Sequence, residues 1–197
     1  MAHIAPIPRE QLPQFEEMFK KMEAMVGFVP NSLKTMAHRP DIVHGYLALA
    51  NAIMMNGTVP TRLKRMAALV SSSASGCVYC QAHMVIFGAV LDASPEDLAD
   101  IWQFEFNNKF PPAEVAVLRL ARDAGQVPNA VTKEHFDELR QHFSEPEIVE
   151  LVGAIALFGY LNRWNDTMAT DLEAEPLAMA NKHLGPRGWT AGKHAGK

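Results

Sequence analysis

Cysteine is nearly absent from this chain of 197 residues: it has two, Cys77 and Cys80. Other absences narrow the field further. There is no basic surplus. The formal net charge is −4 and the sequence pI about 6.0, so no nucleic acid and no anionic membrane surface is expected as a partner. The concentrated basic stretches, Arg62-Leu63-Lys64-Arg65 and the tail from Lys182 to Lys197, read as a solvated helix face and a mobile end. Met1 to Pro6 lacks the basic and apolar regions of a secretory signal. The longest apolar run, Leu151 to Leu161, falls short of the roughly 18 residues that span a bilayer. A cytoplasmic location is therefore expected, where a CxxC pair more often does chemistry or binds metal than staples a fold. Strict alternation of β-branched residues is missing, which argues against sheet. No glycine-rich phosphate loop, no GxSxG and no outstanding carboxylate pair occurs, so no cofactor is expected.

What is present is helical periodicity. About half the residues are apolar (48%), enough for a sizeable core. Leu12, Phe15, Met18, Phe19, Met22 and Met25 form a stripe of helical period over 8–26, ended by Gly27. Asn31 or Ser32 is placed to cap a short helix, and Pro40 opens one running to about Met55. Pro60 opens a helix to about Ser75 with Leu63, Met66, Ala67, Leu69 and Val70 inward. Its small last turns, Ser71 to Ser75, allow a neighbour to come close. Gly76 then breaks the chain, and a new helix starts at Cys77. Further starts are expected at Ser94-Pro95-Glu96-Asp97, at Pro111-Pro112, at Thr132 and at Ser144, where Glu147 completes a capping box. Pro60–Val70 and Pro146–Ala156 share apolar placement, pairing Leu63 with Val149, Met66 with Val152 and Leu69 with Ile155, as a degenerate repeat would. The expected architecture is all-α and a single domain over 1–197: an N-terminal helix at 8–26, a core over about 28–170, and an extended C-terminal arm over about 175–197.

The chemistry concentrates in Cys77-Val78-Tyr79-Cys80-Gln81-Ala82-His83. At about 100° per residue, Cys77, Cys80 and His83 share one side of a helix. Cys77 sits in the first turn, where unpaired N–H groups and the helix dipole favour a thiolate. Cys80 is one turn deeper, within reach of an imidazole. A thiol beside a base, with a second thiol to resolve the product, is the minimum for reversible peroxide reduction. Three other readings stay open from these residues: two small buried apolar residues, a structural histidine, and a zinc site completed by a fourth ligand, although no second CxxC or HxxxH is present.

Residues Ser73 to His83 resemble the signature of the carboxymuconolactone decarboxylase/AhpD-like superfamily in its peroxidase-related branch. Val29-Pro30-Asn31-Ser32-Leu33 with Ala37-His38-Arg39-Pro40 is similar to that branch's N-terminal element. Ile148 to Val152 with Phe158 to Arg163 is similar to its C-terminal helix pair. The resemblance implies an AhpD-like helical bundle, a homo-oligomer (commonly trimer or hexamer) and thiol-dependent reduction of alkyl hydroperoxides. On its terms Cys80 attacks the peroxide, Cys77 resolves it, and an outside thiol or disulfide reductant restores both. Two positions depart from the pattern. The relay glutamate, twelve residues before the first cysteine, is Arg65 here, and the relay histidine, four after the second, is Met84. His83, His38 or His44 would have to substitute. Arg65, if turned inward, and Tyr79 are candidate substrate contacts. The departures admit a lyase or decarboxylase acting on a small lactone or carboxylate held by Arg65, and also a non-catalytic scaffold with a vestigial site.

Overall fold

Prolines and glycines punctuate the helices. The computed structural model describes residues 1–90, 101–106 and 108–196, and all regular structure among them is helical. The expected start at Ser94-Pro95-Glu96-Asp97 lies outside the described residues, as does Asn107. Pro13 interrupts the N-terminal stripe, so short 3-10 turns at Arg9–Gln11 and Pro13–Phe15 precede α1 (Glu16–Val26). Gly27 ends α1 at φ 89°, a left-handed conformation that a side chain would strain. α2 (Asn31–Met36) and α3 (Pro40–Ala50) follow. Pro30, not Asn31 or Ser32, caps α2, and Asn31 instead donates from Nδ2 to the Asp171 carbonyl (2.9 Å).

α4 (Thr61–Ala74) is central and packs against α5 (Val78–Val90), α6 (Pro112–Ala124) and α8 (Glu145–Met168). Ala67, Ala68, Ser71 and Ser72 of α4 are buried, so its neighbours approach closely. At Gly125, just past α6, an added Cβ would lie 2.5 Å from the Ser71 carbonyl oxygen. α7 (Lys133–Leu139) begins with a capping box between Thr132 and His135. α8 begins with the expected box, in which Ser144 N–H donates to Glu147 (2.8 Å).

Four further expectations are corrected. α3 does not run on as α-helix to Met55: its last stretch, Asn51–Met55, is a π-helix. The tail is not a mobile arm. α9 (Ala174–His183) packs on α5, and the Leu172 N–H just before it donates to the carbonyl of His194 beyond it, which is itself fully buried. The register of the proposed repeat fails on burial at two of its three pairs, Leu69 and Ile155 both being buried. Leu63 and Met66 are in the core, whereas Val149 and Val152 are exposed and share an outward face of α8 with Tyr160.

Finally, Arg62-Leu63-Lys64-Arg65 is not a solvated face. Lys64 is 1% exposed, and its ammonium donates to the carbonyls of Ile53 (2.8 Å) and Asn56 (2.9 Å) and to Glu150 Oε1 (2.5 Å). The other Glu150 oxygen accepts from the Thr58 and Val59 amides. A π-turn leaves carbonyls outside the regular ladder, and the buried lysine answers two of them.

Candidate active site

Cys77 immediately precedes α5 and acts as its cap. Gly76, at φ 73°, turns the chain into the helix. The Cys77 carbonyl accepts from Gln81 N–H (3.1 Å), and its Sγ accepts from Cys80 N–H (3.4 Å). A sulfur thus takes the place that a serine or aspartate oxygen usually fills at a helix start. Both cysteines are free thiols and about 1–2% exposed. Burial pushes the Cys80 thiol well above its ordinary value, and hydrogen bonding with Cys77 and the charge on Cys77 add to this. Asn165 of α8 opposes that shift: its Nδ2 lies 3.7 Å from Cys80 Sγ as a donor.

Asn165 also lines a cavity of about 330 Å³, so a single side chain separates Cys80 from that space. The cavity walls are mainly apolar, with Met22, Leu33, Leu47, Met54, Leu157 and Phe158 among them. The π-helix supplies Asn51, Met54 and Met55, a common use of such local irregularities. The polar lining is Arg65, Tyr46, Tyr79, His83 and Asn165, with Ser32 and Asn51.

His83 is 5% exposed and stacks on Tyr79, with ring centroids 4.2 Å apart. Its Nδ1 faces the Tyr79 carbonyl at 3.0 Å, which requires the proton on that nitrogen. Its Nε2 lies 2.9 Å from Glu173 Oε2, at ion-pair distance but off the line of a good hydrogen bond. Glu173 immediately precedes α9, and its Oε1 accepts from Tyr79 O–H (3.0 Å) and from the Asn31 amide. Burial alone would raise the Glu173 carboxyl, but the charge and contact of His83 with the amides of Asn31 and Glu173 outweigh it. The net direction is downward, toward carboxylate. Tyr79 goes well above its usual range, from burial first and then from the Glu173 charge.

The structure therefore brings three of the five candidate residues, His83, Tyr79 and Arg65, to the wall of one cavity, with Cys80 behind Asn165 and Cys77 behind Cys80. Arg65 is turned inward. The imidazole departs from the helix-face reading: among the described residues it is engaged by Glu173 and the Tyr79 carbonyl, and no hydrogen bond joins it to either sulfur. His38 bonds the Ala5 carbonyl and His44 packs on Phe15, so neither joins the site. Glu173 and Asn165 were missed. The run Asp171-Leu172-Glu173-Ala174-Glu175-Pro176 does carry a helix-start signal, with acids beside a proline, but nothing local ties it to a histidine ninety residues earlier. Among the described residues no cluster of three His, Cys, Asp or Glu is placed to hold a metal ion, and no helix is long and apolar enough to cross a membrane.

Comparisons with known proteins bear on this geometry. The sequence model of the carboxymuconolactone decarboxylase family matches residues 40–123. The chain is similar to the debrominase Bmp8, solved as a cysteine-to-alanine variant in complex with 2,3,4-tribromopyrrole: 34% identity, 92% of this chain and 97% of that chain covered, TM-score 0.85. It is also similar to an uncharacterised peroxidase-related protein with an alkylhydroperoxidase AhpD core from Ralstonia eutropha JMP134: 24% identity, 86% and 88% covered, TM-score 0.73. A third is an uncharacterised peroxidase-related protein from Silicibacter sp. TM1040: 20% identity, 91% and 90% covered, TM-score 0.74. The last two show a shared fold. No curated protein matches the chain in sequence.

Proposed function

This chain belongs to the carboxymuconolactone decarboxylase/AhpD-like superfamily, and from that premise we propose that it is a thiol-dependent reductase of organic hydroperoxides, cycling Cys77 and Cys80 between dithiol and disulfide. One observation carries the reading. Two contacting free thiols at a helix start lie one side chain behind an apolar cavity whose wall presents His83 against an ionised Glu173.

The steps balance. The Cys80 thiolate attacks the distal oxygen of ROOH, the O–O bond breaks, and Cys80 becomes a sulfenic acid while RO⁻ takes up a proton to leave as ROH. Cys77 then displaces water from the sulfenic acid and forms the disulfide. An outside dithiol returns two electrons and two protons by thiol–disulfide exchange. His83 is the proton donor on the cavity wall. Glu173 positions it, replacing the carboxylate that the resembling relay draws from the position of Arg65. A homo-oligomer belongs to the same proposal, with the outward apolar face of α8 as the surface that a second copy would cover.

A second reading draws on the similarity to the debrominase. The same dithiol would reduce a carbon–bromine bond, giving C–H, HBr and the disulfide. Both readings use one electron pair per Cys77–Cys80 cycle, and their products tell them apart.

The direct test is mild oxidation with one equivalent of cumene hydroperoxide, read by intact-mass spectrometry. The expected result is a loss of 2 Da with one equivalent of cumyl alcohol, reversed by a dithiol reductant. Recovery of two free thiols with the hydroperoxide unspent would sink the proposal, and bromide release from 2,3,4-tribromopyrrole in its place would favour the second reading. Glu173→Gln is expected to slow steady-state peroxide reduction by about 10- to 100-fold, as removal of an orienting carboxylate commonly does. The disulfide should still form in single-turnover mass measurements. An unchanged rate would show that His83 works without it.

A further inference from the structure

Among the described residues Arg65 is a cation without an anion. Its side chain reaches into the apolar cavity, and its guanidinium lies over the Phe87 ring, 4.8 Å from the centroid. Stacking of this kind uses the face of the guanidinium and leaves the in-plane N–H donors free. Nε is fully buried and has no hydrogen-bond partner, and no carboxylate among the described residues lies within ion-pair distance of the group. The other cations of the same helix differ: Arg62 pairs with Glu114 (2.5 Å) and Lys64 with Glu150. Burying a charge without a partner is costly, and a ligand that supplies the counter-charge would remove that cost.

The surroundings specify the rest of that ligand. Met22, Leu33, Leu47, Met54, Leu157 and Phe158 offer it nothing but apolar surface, and about 330 Å³ is at the small end of ligand pockets. Tyr46 is on the same wall. Burial keeps its hydroxyl protonated up to about 12 even though the charge of Arg65 acts the other way, so it is a second donor and not a competing anion. Arg65 is itself pushed down by burial, the mark of a cation waiting for a partner.

We infer that this cavity selects substrates with an apolar body and a single carboxylate, and that Arg65 holds the carboxylate while the body fills the methionine- and leucine-lined space. The inference names the substrate class of the proposed active site and so rests on that reading. The position that resembles a relay base here carries the opposite charge, which turns a proton acceptor into an anion anchor.

The test separates binding from chemistry. Octanoate and 1-octanol, matched in length, are titrated calorimetrically into the Cys77→Ser/Cys80→Ser protein, which cannot turn over. Octanoate is expected to bind at least about ten-fold more tightly, as a charge-assisted hydrogen bond implies. Arg65→Met should lose that preference and Arg65→Lys keep most of it. Equal affinity for the two probes, or an octanoate preference that survives in Arg65→Met, overturns the inference; the first comparison needs no Arg65 variant. In wild type, a carboxylate-bearing fatty hydroperoxide should exceed its methyl ester in kcat/KM by a similar factor. Turnover with no such preference would remove this inference and leave the proposed function. Octanoate selection without any peroxide reduction would do the reverse.

Discussion

Cys80→Ser is expected to abolish hydroperoxide turnover, and Cys77→Ser to consume one equivalent per chain and then stall. The asymmetry follows from position. Cys80 touches Asn165, which faces the cavity, whereas the sulfur of Cys77 caps the helix start behind it. A serine at 80 leaves no sulfur where substrate can be met. A serine at 77 leaves the attack intact but removes the thiol that expels water from the sulfenic acid. Stopped-flow peroxide loss with a dithiol reductant reads the first, and equal rates for wild type and Cys80→Ser would remove Cys80 from the reaction; the stall is read without reductant, where Cys77→Ser should gain one oxygen in intact mass while wild type loses two hydrogens. The pH profile gives a second readout. Because burial raises the Cys80 thiol above its ordinary 9.0, alkylation of Cys80 should still be climbing with pH beyond that value. The same shift bears on stability. A folded value above the unfolded one gives a contribution fully present below about 9 and lost as pH rises through the folded value. Tyr79, raised in the same direction, adds to the alkaline loss. Cys80→Ser should therefore flatten the alkaline fall in Tm.

The largest expected loss of stability is at Lys64→Met. The ammonium is buried and pairs with Glu150, whose side chain is 13% exposed, while it also holds the carbonyls of Ile53 and Asn56. Removing one member of such a pair strands the other charge, at a cost of about 3–5 kcal/mol. Two carbonyls at the end of the π-helix lose their donor as well. For a chain of this size that corresponds to a fall in Tm of roughly 6–20 °C. The cavity should loosen too, since Met54 and Met55 are part of the segment that Lys64 fastens. Paired substitution of Lys64 by Met and Glu150 by Leu should recover much of the loss, because no unpaired charge then remains. A Lys64→Met protein as stable as wild type would show that the pair contributes nothing.

The contrast between Lys64 and the CxxC shows what the sequence makes legible. Helix starts at Pro40, Pro60, Pro112 and Ser144, the stop at Gly27 and the start at Cys77 all rest on local chemistry: rings that fix φ, side chains that cap, a glycine that tolerates positive φ. Those signals were read correctly within a residue or two. The reactive pair was legible for the same reason. Arg62-Leu63-Lys64-Arg65 was not, because a lysine's fate depends on whether a carboxylate from a helix eighty-six residues away arrives over it. Glu173 was hidden in the same way. Its role is set by the packing of α9 on α5, to which no periodicity within 171–183 points. The Val149 and Val152 match to Leu63 and Met66 failed because apolar spacing specifies a face, not which neighbour, if any, that face meets.

The seating of His194 beneath the tyrosine–histidine stack, with the Leu172 amide tied to its carbonyl, has a consequence for how the enzyme comes into being. Residues 77–83 leave the ribosome long before residues 171–194 do. Through that interval a nascent chain carries His83 without the acid that engages it, so the site stays incomplete until residues 171–194 have been made and packed.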